Sequence, residues 1–231
     1  MAFVINPPPQ AAVPVVGEAG LFPVRRIFCV ARNYAAHARE MGHDPQREPP
    51  FFFTKPADAV FATGPDATWP YPCASQDVHH EFELVVALGA GGRDLDTARA
   101  RDCVWGYAAG LDMTRRDLQA EAKQKGRPWD VAKAFDRAAP IGPITPKAKT
   151  GWLDSGSITL RIDGEVRQQG ELSDMIWSIP DIIVALSGLF ELKPGDLIFT
   201  GTPEGVGPVR PGQRLEGVID GLEPLRLEVA G

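Results

Sequence analysis

The sequence predicts a chain that is all-β or α+β, with β-structure dominant. Three observations carry that expectation. The 231 residues include 22 prolines and 24 glycines, so turns are frequent. "SGSITLRIDGEVRQQG" reads as two strands joined by an Asp-Gly hairpin turn at Asp163–Gly164. The last forty residues, from "LKPGDLIFTGTPEG" onward, are short apolar runs cut by Gly and Pro, as in a barrel or sandwich. The length suits one large domain and can bury a substantial core.

In chain order, residues 1–23 are rich in proline and read as an extended arm, and 24–231 as one body with no further boundary. "RRIFCVARNY" begins as a buried strand. "NYAAHAREMG" reads as a short helix with Asn33 as N-cap and Gly42 as its stop. "PFFFTKP" is a short apolar strand, residues 64–77 are turns, and "VHHEFELVVALG" (78–89) is a strand. A helix is expected from about Asp96 to Asp102, followed by a strand ending near Asp112. Thr114 and Asp117 make a T-x-x-D start for a helix ending at Gly126, and "SIPDIIVALSGLFEL" is helical.

Composition excludes several function classes. Apolar content of 44% and charged content of 23% are those of a globular protein. A net charge of −6 leaves no basic footprint for nucleic acid. Three widely spaced cysteines (Cys29, Cys73, Cys103) make neither a zinc motif nor a disulfide framework, which fits a reduced, cytoplasmic setting. The N-terminus reads as no signal peptide, and "IPDIIVALSGLFEL" is too short for the roughly 20 residues a membrane helix needs.

Two carboxylates, Glu81 and Glu83, interrupt the apolar strand 78–89. Residues i and i+2 of a strand share a face. A solvated sheet face is the plain explanation, yet "LVVALG" is apolar on both faces and points to a covered strand. A third acid, Asp112, ends another apolar strand. Like charges on a buried face need a cation, and an oxygen-only set suits Mg²⁺, Mn²⁺ or Ca²⁺ rather than zinc.

Of the four histidines, His79 and His80 read as supporting or structural, and His43 as solvated in a polar loop. His37 and Glu40 lie at i and i+3 on one helix face. That spacing allows a carboxylate-oriented general base or an ordinary surface pair. Arg116, Gln119 and Lys123 form a polar stripe at i, i+3 and i+7. Because the helix starts beside Asp112, Arg116 and Gln119 can hold an anionic substrate. Lys133, flanked by apolar residues, can bind a carboxylate or stabilise an enolate.

Together "ARNYAAHAREMG", "PFFFTKP", "HHEFEL", "LDMTRRDLQ", "KQKGRPWDVAKAFD" and "KPGDLIFTGTPEGVGPV" resemble the fumarylacetoacetate hydrolase family, in order and spacing, from about residue 25 to the end. The likeness is greatest to its acylpyruvate and fumarylpyruvate hydrolases. The resemblance implies a mixed β-sandwich roll or barrel, homodimeric, holding one Mg²⁺ or Mn²⁺ on Glu81, Glu83 and Asp112. It implies a water-activating His37–Glu40 pair on a lid helix and a catalytic Lys133. It places Arg116, Gln119, Thr202 and Lys55 around the substrate. Where many members have Gly before Arg-Asn-Tyr, this chain has Ala31, whose methyl bears on pocket size. The implied reaction is hydrolysis of a carbon–carbon bond in a small-molecule 2,4-dioxo acid, fumarylpyruvate to fumarate and pyruvate in gentisate breakdown. The same metal–enolate site would serve an oxaloacetate decarboxylase or a hydroxydienoate isomerase, and a metal-stabilised binding protein is the non-enzymatic alternative.

Overall fold

A computed structural model describes residues 3–36 and 49–231. The chain is mostly β, with a curled half-barrel sheet and five α-helices among the described residues. In the eight-stranded sheet the order is Phe51–Lys55, Arg26–Ala31, Asp196–Phe199, Phe82–Leu88, Val104–Leu111, Ala139–Ile141 and Val60–Ala62, with Thr145–Pro146 pairing off this path. The sheet is mixed: Asp196–Phe199 runs parallel to Arg26–Ala31, and Ala139–Ile141 parallel to Val60–Ala62. A second sheet has the order Glu165–Glu171, Ser157–Ile162, Arg214–Ile219, Leu225–Val229 and Thr68–Trp69.

The central strand shows why this sheet is covered on both sides. Phe82–Leu88 is buried at every position. Phe82, Leu84, Val86 and Leu88 join the main core, shared with Ile158, Leu160, Leu215 and Leu227 of the second sheet. Val85 and Ala87 point the other way, into a second core. The continuous apolar run therefore reflects a two-sided environment, as "LVVALG" foretold.

Part of the second core comes from the N-terminus. Ala12–Pro14 pairs with Leu21–Pro23, and Val13, Val15 and Phe22 of this segment are buried. A packed hairpin thus takes the place of the expected extended arm, because alternate apolar residues give it a face to bury.

The helices expected from about Asp96 to Asp102 and over "SIPDIIVALSGLFEL" are present, the second one ending earlier, at Leu189. Thr97–Cys103 is capped by Asp96, which accepts from the Arg99 amide. Ile179–Leu189 starts with a capping box between Ser178 and Asp181. The Asp163–Gly164 turn has both φ values positive (53° and 85°), as a primed hairpin turn requires. Two expected caps are used otherwise. Asn33 bonds Trp177 and Thr200 through its amide group, and its Oδ1 accepts from the Trp177 amide. Thr114 pairs in a strand with His79, and the helix Arg116–Gln124 begins after it with no side-chain cap. Within the segment read as turns, Thr68–Trp69 adds a strand alongside Leu225–Val229. No helix among the described residues is long and apolar enough to cross a membrane.

Candidate active site

The acidic cluster follows from strand register. Phe82 lies opposite Leu111 in the antiparallel ladder, so the residue before Phe82 faces the residue after Leu111. Those residues are Glu81 and Asp112, and the Asp112 amide donates to the Glu81 carbonyl at 2.8 Å. Glu81 itself is not in a strand. It sits at the joint between Val78–His80, part of a small three-stranded sheet, and Phe82–Leu88. The single continuous strand expected from 78 to 89 is thus two strands in different sheets, with Glu81 at the break between them. Glu83 lies opposite Gly110, which leaves the ladder without a side chain there.

One ligand oxygen from each of Glu81, Glu83 and Asp112 lies within 4.8 Å of the others, and all three residues are buried. Two lysines and an arginine surround them. The Lys133 ammonium donates to Glu81 Oε2 at 2.9 Å and Asp112 Oδ2 at 2.7 Å. Lys55 Nζ lies 2.8 Å from Asp112 Oδ1. Arg116 donates from Nη2 to Glu81 Oε1 and from Nη1 to Gln119 Oε1, both at 2.6 Å.

Glu83 differs from its neighbours. It makes no ion pair among the described residues and accepts a 2.7 Å bond from the Gly201 amide. Burial above all, then Asp112 and Glu81, push its carboxyl well above the usual range; the Gly201 amide and Lys133 act in the opposite sense. For Lys133, burial favours the neutral amine, but Asp112 and Glu81 outweigh it and the pKa is raised. Lys133 is therefore an ammonium at neutral pH. Among the described residues the donor set is three clustered carboxylates with neither imidazole nor thiolate, and one of them, Glu83, has no ion-pair partner. These residues fit a hard divalent ion such as Mg²⁺ or Mn²⁺.

The carboxylates open onto a cleft with about 440 Å³ of atom-free space, its mouth included. Glu81, Glu83 and Lys133 line it together with Val30–Arg32, Phe53, the stripe Arg116, Gln119 and Lys123, Trp129 and Thr202. The Ala31 methyl belongs to this wall. Asp112 lies behind it, at 1% exposure.

Lys55 is also behind the wall. Its ammonium bonds the carbonyls of Met113 and Lys133 as well as reaching Asp112, so it ties the cluster to the backbone beneath the cleft. Thr202 lines the cleft, but its hydroxyl donates to the Phe82 carbonyl at 2.9 Å and accepts from Gln168 at 2.8 Å. His37, Glu40 and His43 lie outside the described residues. His79 bonds Asp77 at 2.9 Å, and its pKa is lowered by burial first and by Arg116 second.

His80 belongs to a buried chain that sequence reasoning missed. Gln168 Oε1 accepts from the Phe82 amide at 3.0 Å, which identifies that atom as the oxygen. His80 Nδ1, 2.9 Å from the same oxygen, must then carry the proton. Burial lowers the His80 pKa to about 4, so the ring is neutral at pH 7. Gln168 donates onward to Thr202 and to the Pro203 carbonyl. Gly201 was a second omission. Its φ is +98°, and a Cβ there would meet Asn33 Cβ at 2.6 Å, so only glycine places that amide on Glu83. The "TGTP" motif was the available signal for the loop, but its backbone contact with Glu83 depends on the fold.

Comparisons with known proteins identify the family. Residues 26–230 match the family described as fumarylacetoacetate (FAA) hydrolase C-terminal. The crystal structure of fumarylpyruvate hydrolase from Pseudomonas aeruginosa in complex with Mn²⁺ and pyruvate superposes with a TM-score of 0.97, at 52% identity over 99% of each chain. A putative fumarylpyruvate hydrolase from Burkholderia cenocepacia gives 0.93 at 49% identity, covering 100% of this chain and 96% of that one. Among curated proteins, the mitochondrial oxaloacetate tautomerase FAHD1 of Arabidopsis thaliana is 44% identical over 88% of this chain and 90% of its own length. The mitochondrial oxaloacetate decarboxylase of Dictyostelium discoideum is also 44% identical, over 86% and 90%. With residues 26–230 matched by the family and nearly its whole length covered by these proteins, the chain belongs to the fumarylacetoacetate hydrolase family.

Proposed function

We propose that this protein is a metal-dependent hydrolase of 2,4-dioxo acids, with fumarylpyruvate as the preferred substrate. The observation that carries the reading is a buried three-carboxylate cluster bonded to Lys133 and Arg116 at the base of an open cleft. The 52% identical Pseudomonas aeruginosa protein, named for fumarylpyruvate hydrolysis and solved with Mn²⁺ and pyruvate, supports the substrate.

In this proposal Glu81, Glu83 and Asp112 hold Mg²⁺ or Mn²⁺, which when bound supplies Lewis-acid polarisation of the 2-oxo-carboxylate end. Arg116, steadied by Gln119, binds the adjoining carboxylate as a two-pronged donor. His37, oriented by Glu40, takes a proton from water, and the resulting hydroxide attacks the C4 carbonyl. The C3–C4 bond breaks and its electron pair becomes the pyruvate enolate. The Lys133 ammonium, held charged by Glu81 and Asp112, stabilises that negative charge. Protonation at C3 yields pyruvate. Thr202, anchored by Phe82 and Gln168, shapes the wall beside the substrate.

Oxaloacetate chemistry is the second reading, favoured by the names of the 44% identical relatives. It uses Lys133 and the carboxylates in the same way but does not require a water activated by His37. The deciding experiment incubates the Mg²⁺-loaded protein separately with fumarylpyruvate, acetylpyruvate and oxaloacetate, in wild type and His37→Ala. Fumarylpyruvate cleavage that falls at least about 100-fold in the variant supports the hydrolase. Turnover of oxaloacetate alone, unchanged in His37→Ala, overturns it in favour of the second reading.

A further inference from the structure

The stripe on the helix Arg116–Gln124 has a third member that this mechanism leaves without a task. Arg116 reaches the acidic cluster, Gln119 is buried against Arg116, and Lys123 lines the same cleft. Lys123 has no ion pair with any carboxylate among the described residues. Its ammonium lies 5.2 Å from the centroid of the Trp129 ring, which lines the same cleft.

We propose that Lys123, seated on Trp129, is the specificity-determining residue that binds a second, distal carboxylate of the substrate and so selects dicarboxylic oxo acids over monocarboxylic ones. The inference rests on the dioxo-acid reading above and assigns the far end of that site.

Charge supports it first. Arg32, Arg116 and Lys123 all face this cleft, while Arg116 already answers Glu81. Burial, then Arg116 and Arg32, lower the Lys123 pKa, as expected where positive charge is in excess. An incoming anion relieves that repulsion. Among the described residues four basic side chains (Arg32, Arg116, Lys123, Lys133) line the cleft against two carboxylates (Glu81, Glu83), a balance that favours an anion in a chain of net charge −6.

Length supports it second. Seven residues of helix separate Arg116 from Lys123, about 10 Å at 1.5 Å per residue. A seven-carbon diacid, with bonds of about 1.5 Å, spans roughly 7–8 Å between its carboxyl carbons. With a hydrogen bond at each end, such a diacid reaches from one station to the other. A four-carbon diacid covers roughly half that span.

The Trp129 ring adds a fixed seat. It holds the ammonium by cation–π attraction. Trp129 is in turn packed by Phe51 and Phe53, with centroids at 5.3 and 6.1 Å.

Two acids that lack the C4 carbonyl, and so escape cleavage, provide the test: 2-oxoheptanedioate and 2-oxoheptanoate, equal in length and differing in the terminal carboxylate. Calorimetry on the Mg²⁺-loaded full chain measures both Kd values in wild type, Lys123→Met and Lys123→Arg. Wild type is expected to bind the diacid roughly five- to tenfold more tightly than the monoacid, the range of a partly exposed ion pair. Lys123→Met should abolish that preference while leaving the monoacid Kd unchanged, and Lys123→Arg should restore it. Equal binding of the two acids by wild type, or a preference that survives Lys123→Met, overturns the assignment while leaving the oxo-acid site standing. If neither acid binds wild type, the dioxo-acid reading itself fails and this inference falls with it.

Discussion

Glu83 is the residue on which the proposed metal site turns. It is 1% exposed, has one backbone donor and no ion pair among the described residues, and is pushed towards its neutral form by burial and by two neighbouring acids. Such a carboxylate costs stability until a cation arrives. Glu83→Gln is nearly isosteric and its carbonyl can still accept from Gly201. In chelator, this variant should therefore melt no lower than wild type. On adding Mn²⁺, wild type should gain stability in proportion to the logarithm of ion concentration, and the variant should show little or none of that gain. Differential scanning calorimetry with and without Mn²⁺ checks both halves. An unchanged Mn²⁺ response in the variant would remove Glu83 from the ligand set.

At the scale of elements, the contact between the two sheets sets the carboxylate positions. Phe82 lies between Glu81 and Glu83 with its ring fully buried in the main core. The facing strand Arg214–Ile219 presents Gly217, where an added Cβ would come within 2.2 Å of the Phe82 ring. Glycine is needed at 217 for space. Gly217→Ala should cost about 1–3 kcal/mol through overpacking. It should also weaken Mn²⁺ binding by about tenfold, the lower end of effects seen when outer-shell support is disturbed. Urea denaturation in chelator and Mn²⁺ titration measure the two separately. A stability loss with unchanged Mn²⁺ affinity would show that the Phe82 ring yields without moving its neighbours.

Across the whole molecule, a buried polar chain joins parts of the sequence that lie far apart. Gln168 comes from the hairpin of the second sheet. It meets His80 and Phe82 of the first half and Thr202 and Pro203 of the loop after Asp196–Phe199. Thr202 closes the ring on the Phe82 carbonyl. Gln168→Leu would leave the Phe82 amide and His80 Nδ1 without their acceptor, at a cost of about 2–3 kcal/mol. Thr202→Val removes the hydroxyl at the far side of the same ring. The two losses should be less than additive, with a coupling above about 0.5 kcal/mol in a double-mutant cycle. Strict additivity would mean that the two sides act independently.

Local chemistry in the sequence determined a good deal by itself. The Asp163–Gly164 turn, the helix in "SIPDIIVALSGLFEL" and the two-faced strand "LVVALG" are each dictated by neighbours within a few residues, and each is present. The choice of Glu81, Glu83 and Asp112 was also legible, because buried acids on apolar runs need a reason. Tertiary structure decided the rest. Asn33 and Thr114 have the side chains of helix caps, but distant partners compete for those side chains, and no local pattern records the outcome. Strand register aligned Asp112 with Glu81 and broke the expected strand at the joint between two sheets. Gly201, Gly217, Gln168 and Lys55 act on the cluster only through contacts made across the fold. The sequence names the groups that carry charge; the distances among them, and which of them face the cleft, arise only when strands far apart in the chain are brought into register.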